Sequence, residues 1–525
     1  MKNMRINASL LTLLLVLTVW MSLFVGQAVA AEKVFVFTRP LIGTLDPATC
    51  GDAEGAQNMS QMYDTLVILD KTGNIAPGLA ESWDVSPEYK TYTFHLRKGI
   101  KFHDGTPLTA QAIKFSFDRM LRVNRSAYGN YLKYGQPDGC QVIDDHTIKV
   151  QLKEPFSIFL IDLTMGAYYI VSPEYIKSHA TKDDPDALKW MTDHACGTGP
   201  FKMVELISGQ RLVFEKYKEY WGQGFKIKPP AKIDKLIFEV VRDPSNARLL
   251  LEKGDVDATE KLTVEQFDKL KSSPDVKVVD FLLPKAVYLT MDVSKPPFDD
   301  INVRRAISHA INTEQIIEFI EKGHVKRMHG LIPAGLMGHN PDFPIYKFDL
   351  EKAKEYMAKS KYPNGFTTDF LLAVERRPEF EQVSEYIQAY LKKIGITVNI
   401  QKVAFDVQLP KMEKGNYGIS LMNWTANMPD PEDIVGWLYD SSRSSGGWNG
   451  AHWDNKEVQG MLKKAREIGN QEERKKLYQE TDKIAVDQAI YVDLYQLTEQ
   501  FAVRKNVQDF YFDPQAKVYF WEVDK

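Results

Sequence analysis

Two short stretches hold the residue types that could grip a charged or amphipathic solute. Asn423-Trp424-Thr425-Ala426-Asn427-Met428-Pro429-Asp430-Pro431 places an indole and primary amides ahead of a rigid Pro-Asp-Pro turn. Tryptophan combines a large apolar face with one N–H donor, so Trp424 suits a core position and a cleft wall about equally. In Glu375-Arg376-Arg377-Pro378 each guanidinium can hold a carboxylate through two parallel charge-assisted bonds, although an exposed arginine pair needs no ligand to account for it. Trp448, Asn449 and Trp453, in Gly-Gly-Trp-Asn-Gly-Ala-His-Trp, are candidates for the far wall of the same site.

Catalytic chemistry has no comparable footing. Gly197-Thr198-Gly199 has the look of a phosphate cradle, but Pro200 removes a donor and neither a G-x-G-x-x-G nor a Walker pattern follows. A structural turn is expected. His95 alternates along a strand and His103 precedes a turn, which suits solvated or hydrogen-bonded imidazoles better than metal ligands. His324, Lys326, Arg327 and His329 read as a solvated loop, an anion contact being the alternative. Cys50, Cys140 and Cys196 are too scattered for a zinc site. No G-x-S-x-G or H-E-x-x-H run occurs. The expectation is a binding protein with no catalytic residue, metal or cofactor; a secreted hydrolase is the alternative of a different class.

The elements that must position these residues alternate between strand and helix without a repeat or a long linker, which indicates an α/β protein. From Leu79 to Ser116 one ordered set of signals can be followed. Tyr92, Phe94 and Leu96 alternate with Thr93, His95 and Arg97 as in a half-buried strand. Lys98-Gly99 turns the chain, Asp104-Gly105 turns it again, and Thr109 is placed to cap a helix carrying Ile113, Phe117 and Leu121. Ser245 should open a helix closed at Gly254, and Asn312 with Gln315 should form a capping box for a helix stopped at Gly323. A helix from about Glu379 should end at Gly395, and one capped by Asn455 at Gly469.

Lys2 and Arg5, the apolar stretch from Leu10 to Val25 and Ala28-Val29-Ala30 make a cleavable secretory leader over residues 1–30. No cysteine stands immediately after the cleavage point, so a freely diffusing periplasmic protein is expected rather than a lipid-anchored one. The chain of 525 residues far exceeds one hydrophobic core, so more than one lobe is required. Its net charge is −4 and no basic face stands out, which makes nucleic acid an unsuitable partner. In an oxidising compartment one cysteine pair could bridge; spacing does not fix it, and Cys140 with Cys196 is the expected pairing.

The Leu79–Ser116 run resembles the signature of the peptide and nickel family of extracytoplasmic solute-binding proteins, the soluble receptors of ATP-driven (ABC) importers. Gly197-Thr198-Gly199-Pro200-Phe201, Tyr220-Trp221-Gly222, Gly254-Asp255-Val256-Asp257, Val303-Arg304-Arg305-Ala306, Tyr362-Pro363-Asn364-Gly365-Phe366 and Pro429-Asp430-Pro431 continue that resemblance in order. It implies a bilobed periplasmic-binding-protein fold of type II with a subdomain inserted in the first lobe: residues 31–60, 189–284 and 486–525 for lobe I, 61–188 for the insertion, 285–485 for lobe II. It also implies a hinge that closes on a peptide or peptide-like ligand and a monomer that delivers it to an inner-membrane permease. A nickel chelate or an oligosaccharide is the alternative solute on the same fold. In dipeptide-binding relatives the place of Arg377 resembles an arginine that takes the ligand carboxylate, and the place of Asn427 resembles an acid that takes the free ammonium. Here that acid is an amide, which implies an acidic solute lacking a free amine. Tyr63 and Cys50 fall in stretches that face the cleft in relatives.

Overall fold

One ladder joins the two halves of the main sheet. The chain is described by a computed structural model over residues 32–39, 42–49, 53–124, 131–373, 376–377, 379–444, 448–513, 515 and 517–525; the leader and Cys50 lie outside them. Within them an 11-stranded sheet is organised around two long antiparallel strands, β12 (Val276–Met291) and β17 (Tyr491–Arg504). On one side β17 pairs with β11 (Ala258–Thr259), followed by β1 (Val34–Arg39), β10 (Lys235–Val240), β9 (Arg211–Lys216) and β8 (Phe201–Ile207). On the other, β12 pairs with β16 (Ile419–Thr425), followed by β14 (Phe366–Ala373) and β15 (Ile396–Val403); β13 (Val325–Arg327) joins β17.

The register between β12 and β17 breaks between Leu282 and Ala286, where Pro284 can donate no ladder bond. Gln496 spans the break, donating to Leu283 O at 2.6 Å and to Ala334 O at 2.9 Å while accepting from Ala334 N at 2.8 Å. Each side of the break has its own core. Phe35, Phe37, Phe214, Phe238, Phe501 and Phe520 fill the first. Beyond the break, β12 alternates faces, Val287 and Leu289 packing with Phe370 and Ile387, Ala286 and Tyr288 with Met422 and Trp424.

A separate four-stranded sheet, β4 (Ala80–Val85), β5 (Thr91–Leu96), β7 (Thr147–Gln151) and β6 (Cys140–Asp144), carries a third core. Tyr92, Phe94 and Leu96 point inward as the alternation requires. The Asp104 carboxylate accepts from Thr106 N and Gly105 has φ +85°, so the Asp-Gly turn forms by the expected chemistry. Gly197 and Gly199 are also accounted for: a Cβ on either would strike the backbone of Met62, and Gly199 N donates to Met62 O at 2.9 Å. The glycines permit a backbone approach, not a phosphate.

Several caps differ from expectation. Thr109 occupies the N-cap of the helix Ala110–Val123 without a side-chain bond. The helix Pro244–Lys253 is capped by Asp243 rather than Ser245, because proline fits the first helical position and the carboxylate reaches Asn246 N. Asn312 does accept from Gln315 N, but Gln315 cannot complete a capping box since its carbonyl accepts from Tyr386 and Tyr390. Helix Lys456–Glu467 takes its cap from Asn455, whereas Gly469 serves a close approach to Tyr89. The expected Cys140–Cys196 disulfide is absent: both are buried as thiols. Cys140 is tied into register with Val150, and the Cys196 thiol, pushed up to about 12 chiefly by burial, bonds Asp104.

Two interactions in this frame give measurable consequences. Arg474 grips Asp430 through both terminal nitrogens, at 2.8 and 2.9 Å, with both side chains almost wholly buried. Arg474→Met should lower the unfolding free energy by about 3–5 kcal/mol, because it strands a buried carboxylate; urea titration reads the loss, and Asp430→Asn in the same chain should recover much of it. His103 is buried with Nε2 3.0 Å from Gly199 O, and burial pushes its pKa down to about 4. The unfolded chain therefore binds the extra proton first, so this contribution is present above the unfolded value and is lost as pH falls from about 6.5 towards 4. His103→Gln should be less acid-sensitive than the parent by on the order of 3 kcal/mol over that window. Equal pH slopes in both proteins would contradict the burial.

Candidate functional site

Strands β14 and β16 run parallel, so their carboxyl ends emerge together, and the two stretches singled out by composition lie at those ends, Asn423–Thr425 closing β16 and Arg376-Arg377 just past β14. Crevices outside such strand ends are the usual ligand positions of α/β sheets. Pleating then divides the residues. Trp424 pairs with Ala286 and packs on one sheet face, while Asn423 pairs with Val287 on the other, where Arg376 donates to Asn423 Oδ1 at 3.1 Å.

On the tryptophan side, Trp424 lies 5.6 Å from Trp437 and 5.1 Å from Trp448 between ring centroids. Its side chain is largely buried, yet among the described residues its indole N–H has no acceptor. The adjoining loop is held from within. Asp433 accepts from Asn427 N and Met428 N, the Asn427 side-chain amide donates to Thr425 O at 3.0 Å, and Asn427 O accepts from Gln515 of the carboxyl-terminal segment at 3.0 Å. Burial holds the Asp433 carboxyl well above the ordinary carboxylate range. The acid nearest Asn427 thus serves the loop backbone and does not face outward as a charge.

On the arginine side, Arg377 donates to Glu321 Oε2 at 2.5 Å and approaches Glu379 Oε2 at 3.1 Å. Glu321 is fully buried. Arg376 lies 4.2 Å over the Phe405 ring. At the seam between the lobes, the β12–β17 register break, Lys261 pairs with Glu499 at 2.9 Å, and Lys285, opposite Thr425 in the β12–β16 ladder, stands among these charges. Sequence reasoning passed over Lys285, Lys261, Glu499 and Glu321. A lysine beside Pro284 in the otherwise apolar run from Leu282 to Val287 was the signal for the first.

Three other candidates are buried in this structure. Tyr63 is wholly buried, stacked on Tyr169 with its hydroxyl donating to Leu45 O at 3.2 Å. Asn449 is also fully buried and donates to Trp453 O at 3.1 Å; the Trp453 indole donates to Gln488 Oε1 at 3.3 Å. With those partners satisfied inside the core, none of the three presents a face to solute in this structure. Trp448 stays half-buried against Trp424. Glu375 and Pro378 lie outside the described residues. The histidine cluster is also internal in part: Arg327 donates to the carbonyls of Met328, Asp493 and Leu494, and the His329 Nδ1 meets Phe343 O at 3.2 Å. A cavity of about 40 Å³ between Asp64, Lys228, Gln515 and Lys517 has room for water rather than a solute.

The described lobes touch above this seam. Met428 is buried in the core of the four-stranded sheet's subdomain, Ser157 N donates to Arg466 O at 2.7 Å, and Lys133 approaches Asp440 at 3.5 Å. Residues 74–446 match the profile of bacterial extracellular solute-binding proteins, family 5. The chain belongs to this family. A protein of Escherichia coli K12 named "Probable D,D-dipeptide-binding periplasmic protein" is 32% identical over 91% of each chain. Among solved structures, a periplasmic binding protein of Helicobacter pylori in complex with the peptide STSA superimposes with a TM-score of 0.81 at 29% identity, covering 94% of this chain and 98% of that one. A binding protein of A. tumefaciens R10 in complex with agropinic acid gives 0.78 at 25%, over 93% and 96%. The bilobed α/β fold and the solute-binding role expected from the sequence accordingly hold for this family 5 protein.

The pairing of Arg377 with a buried acid alters what its removal should do. Arg377→Ala should cost about 3–5 kcal/mol of folding stability by leaving Glu321 uncompensated, and Arg377→Ala with Glu321→Gln should restore most of it. Unchanged urea midpoints in the single variant would return Arg377 to the solvated surface.

Proposed function

We propose that this solute-binding protein captures a peptide-like solute that carries a carboxylate and no free amine, and hands it to the inner-membrane permease of an ABC importer. The observation that carries this reading is the inward direction of Asp433. With an amide at Asn427 and the neighbouring acid committed to Asn427 N and Met428 N, no formal negative charge in this loop meets a ligand ammonium. A buried ammonium without a counter-charge is costly, whereas an acylated or cyclised amine asks only for a hydrogen-bond acceptor. The agropinic acid complex of a relative supports an acidic solute on this fold, and the peptide complex supports a peptide-like one. The protein acts as a periplasmic monomer, exported by its cleavable leader, and binds without catalysing.

Closure follows from the architecture. A solute touching both sides of the break between Leu282 and Ala286 favours the state in which the lobes meet, and shifts the population towards it.

The reading is tested by calorimetry with di- to tetrapeptides in free and amino-acetylated forms at neutral pH. Wild type should prefer the acetylated members; Asn427→Asp should gain affinity for free-amine peptides and lose it for the acetylated acids, through opposite charge effects at one position. Preference for free amines by the wild type, or no shift in either series, would overturn it.

A further inference from the structure

We propose that Lys285, rather than Arg377, is the cation that seats the solute's anionic group, at the point where the two lobes hinge. The inference rests on the reading of the seam as the solute site and adds which residue sets its charge preference.

Position comes first. Lys285 opposes Thr425, and Ala426 N donates to Pro284 O at 2.8 Å, so the lysine is fastened beside the loop that carries Trp424 and Asn427. Alternation puts it on the same sheet face as Asn423 and Arg376. It is half-buried, at the register break that separates the lobes.

Charge balance comes second. Arg377 is matched by Glu321 and Glu379, and Lys261 by Glu499. Among the described residues no hydrogen bond and no carboxylate within ion-pair distance engages the Lys285 ammonium. A half-buried cation left so beside three others is poorly compensated, and an incoming anion relieves the imbalance without having to displace Glu321 from Arg377. Arg377 offers the solute less, because its charge is already spent on a buried partner.

The groups facing Lys285 are Lys261 beyond β11, Glu499 on β17, and Arg376 and Arg377 beyond β14, the last tied to Glu321 and Glu379. Burial, then Lys261, Arg376 and Arg377, push the Lys285 ammonium down to about 8, against the opposing pull of Glu499. An anion bound there favours the protonated form, so binding should take up protons near pH 8.5 and weaken at higher pH.

The test is titration calorimetry of N-acetyl dipeptides as carboxylic acids and as their carboxyl-terminal amides, with wild type, Lys285→Met and Lys285→Arg. The methionine variant should lose at least about tenfold in affinity for the acids with the amides unchanged, the arginine variant should retain most of it, and only wild type should take up protons at pH 8.5 when two buffers of different ionisation enthalpy are compared. Lys285→Met should unfold at the same urea concentration as wild type or higher, which separates lost binding from lost folding. Wild-type binding of acids and amides alike, or a methionine variant that binds acids normally, overturns the role of Lys285 and leaves the solute site standing. Failure of wild type to bind either series overturns the proposed solute class and this inference with it.

Discussion

Pairing of β12 with β17 on both sides of a register break ties the lobes together, and the proposed site lies where that pairing is interrupted. A ladder shared by two cores transmits alignment but resists bending, because each hydrogen bond fixes the strands' spacing. Between Leu282 and Ala286 the register slips and Pro284 contributes no donor, so fewer ladder bonds join the strands there. Gln496 replaces what the slip removes, saturating the carbonyls of Leu283 and Ala334 from a buried position. At this break backbone groups are thus satisfied by a side chain instead of by the opposite strand.

Contacts away from that break decide how the lobes rest against each other. Met428 enters the core of the inserted subdomain, and Lys133 faces Asp440, which also approaches Arg466 at 2.8 Å. Glu432 ties Arg466 to Tyr478 behind them, at 2.8 and 3.0 Å. The charge network is buried on the lobe II side and only half covered on the insertion side.

The electrostatics of the seam show why residue type alone is a poor guide to role. Arg377 and Lys285 carry the same formal charge, yet one is compensated by a carboxylate that cannot reach water, while the other, among the described residues, has no ion-pair partner and faces three cations against the opposing pull of Glu499. The buried part of that compensation comes from the π-turn at Ile316–Ile320, since Glu321 follows it directly, and Glu379 adds the rest from Arg377's own stretch of chain.

Sequence by itself determined the local chemistry. The alternation of Tyr92, Phe94 and Leu96, the Asp104-Gly105 turn, the cap at Asn455 and the helix Glu379–Lys392 formed as expected because each depends on neighbours a few residues away. The order of short motifs likewise carried the family, and with it the α/β fold. Tertiary structure decided which of two suitable partners a side chain takes. Gln315 gave up its capping box to tyrosines about seventy positions later, Tyr63 and Asn449 turned inward, Cys140 and Cys196 remained thiols, and Arg377 met an acid 56 residues earlier in the chain. Such choices depend on distances between segments remote in sequence, and spacing along the chain does not contain them.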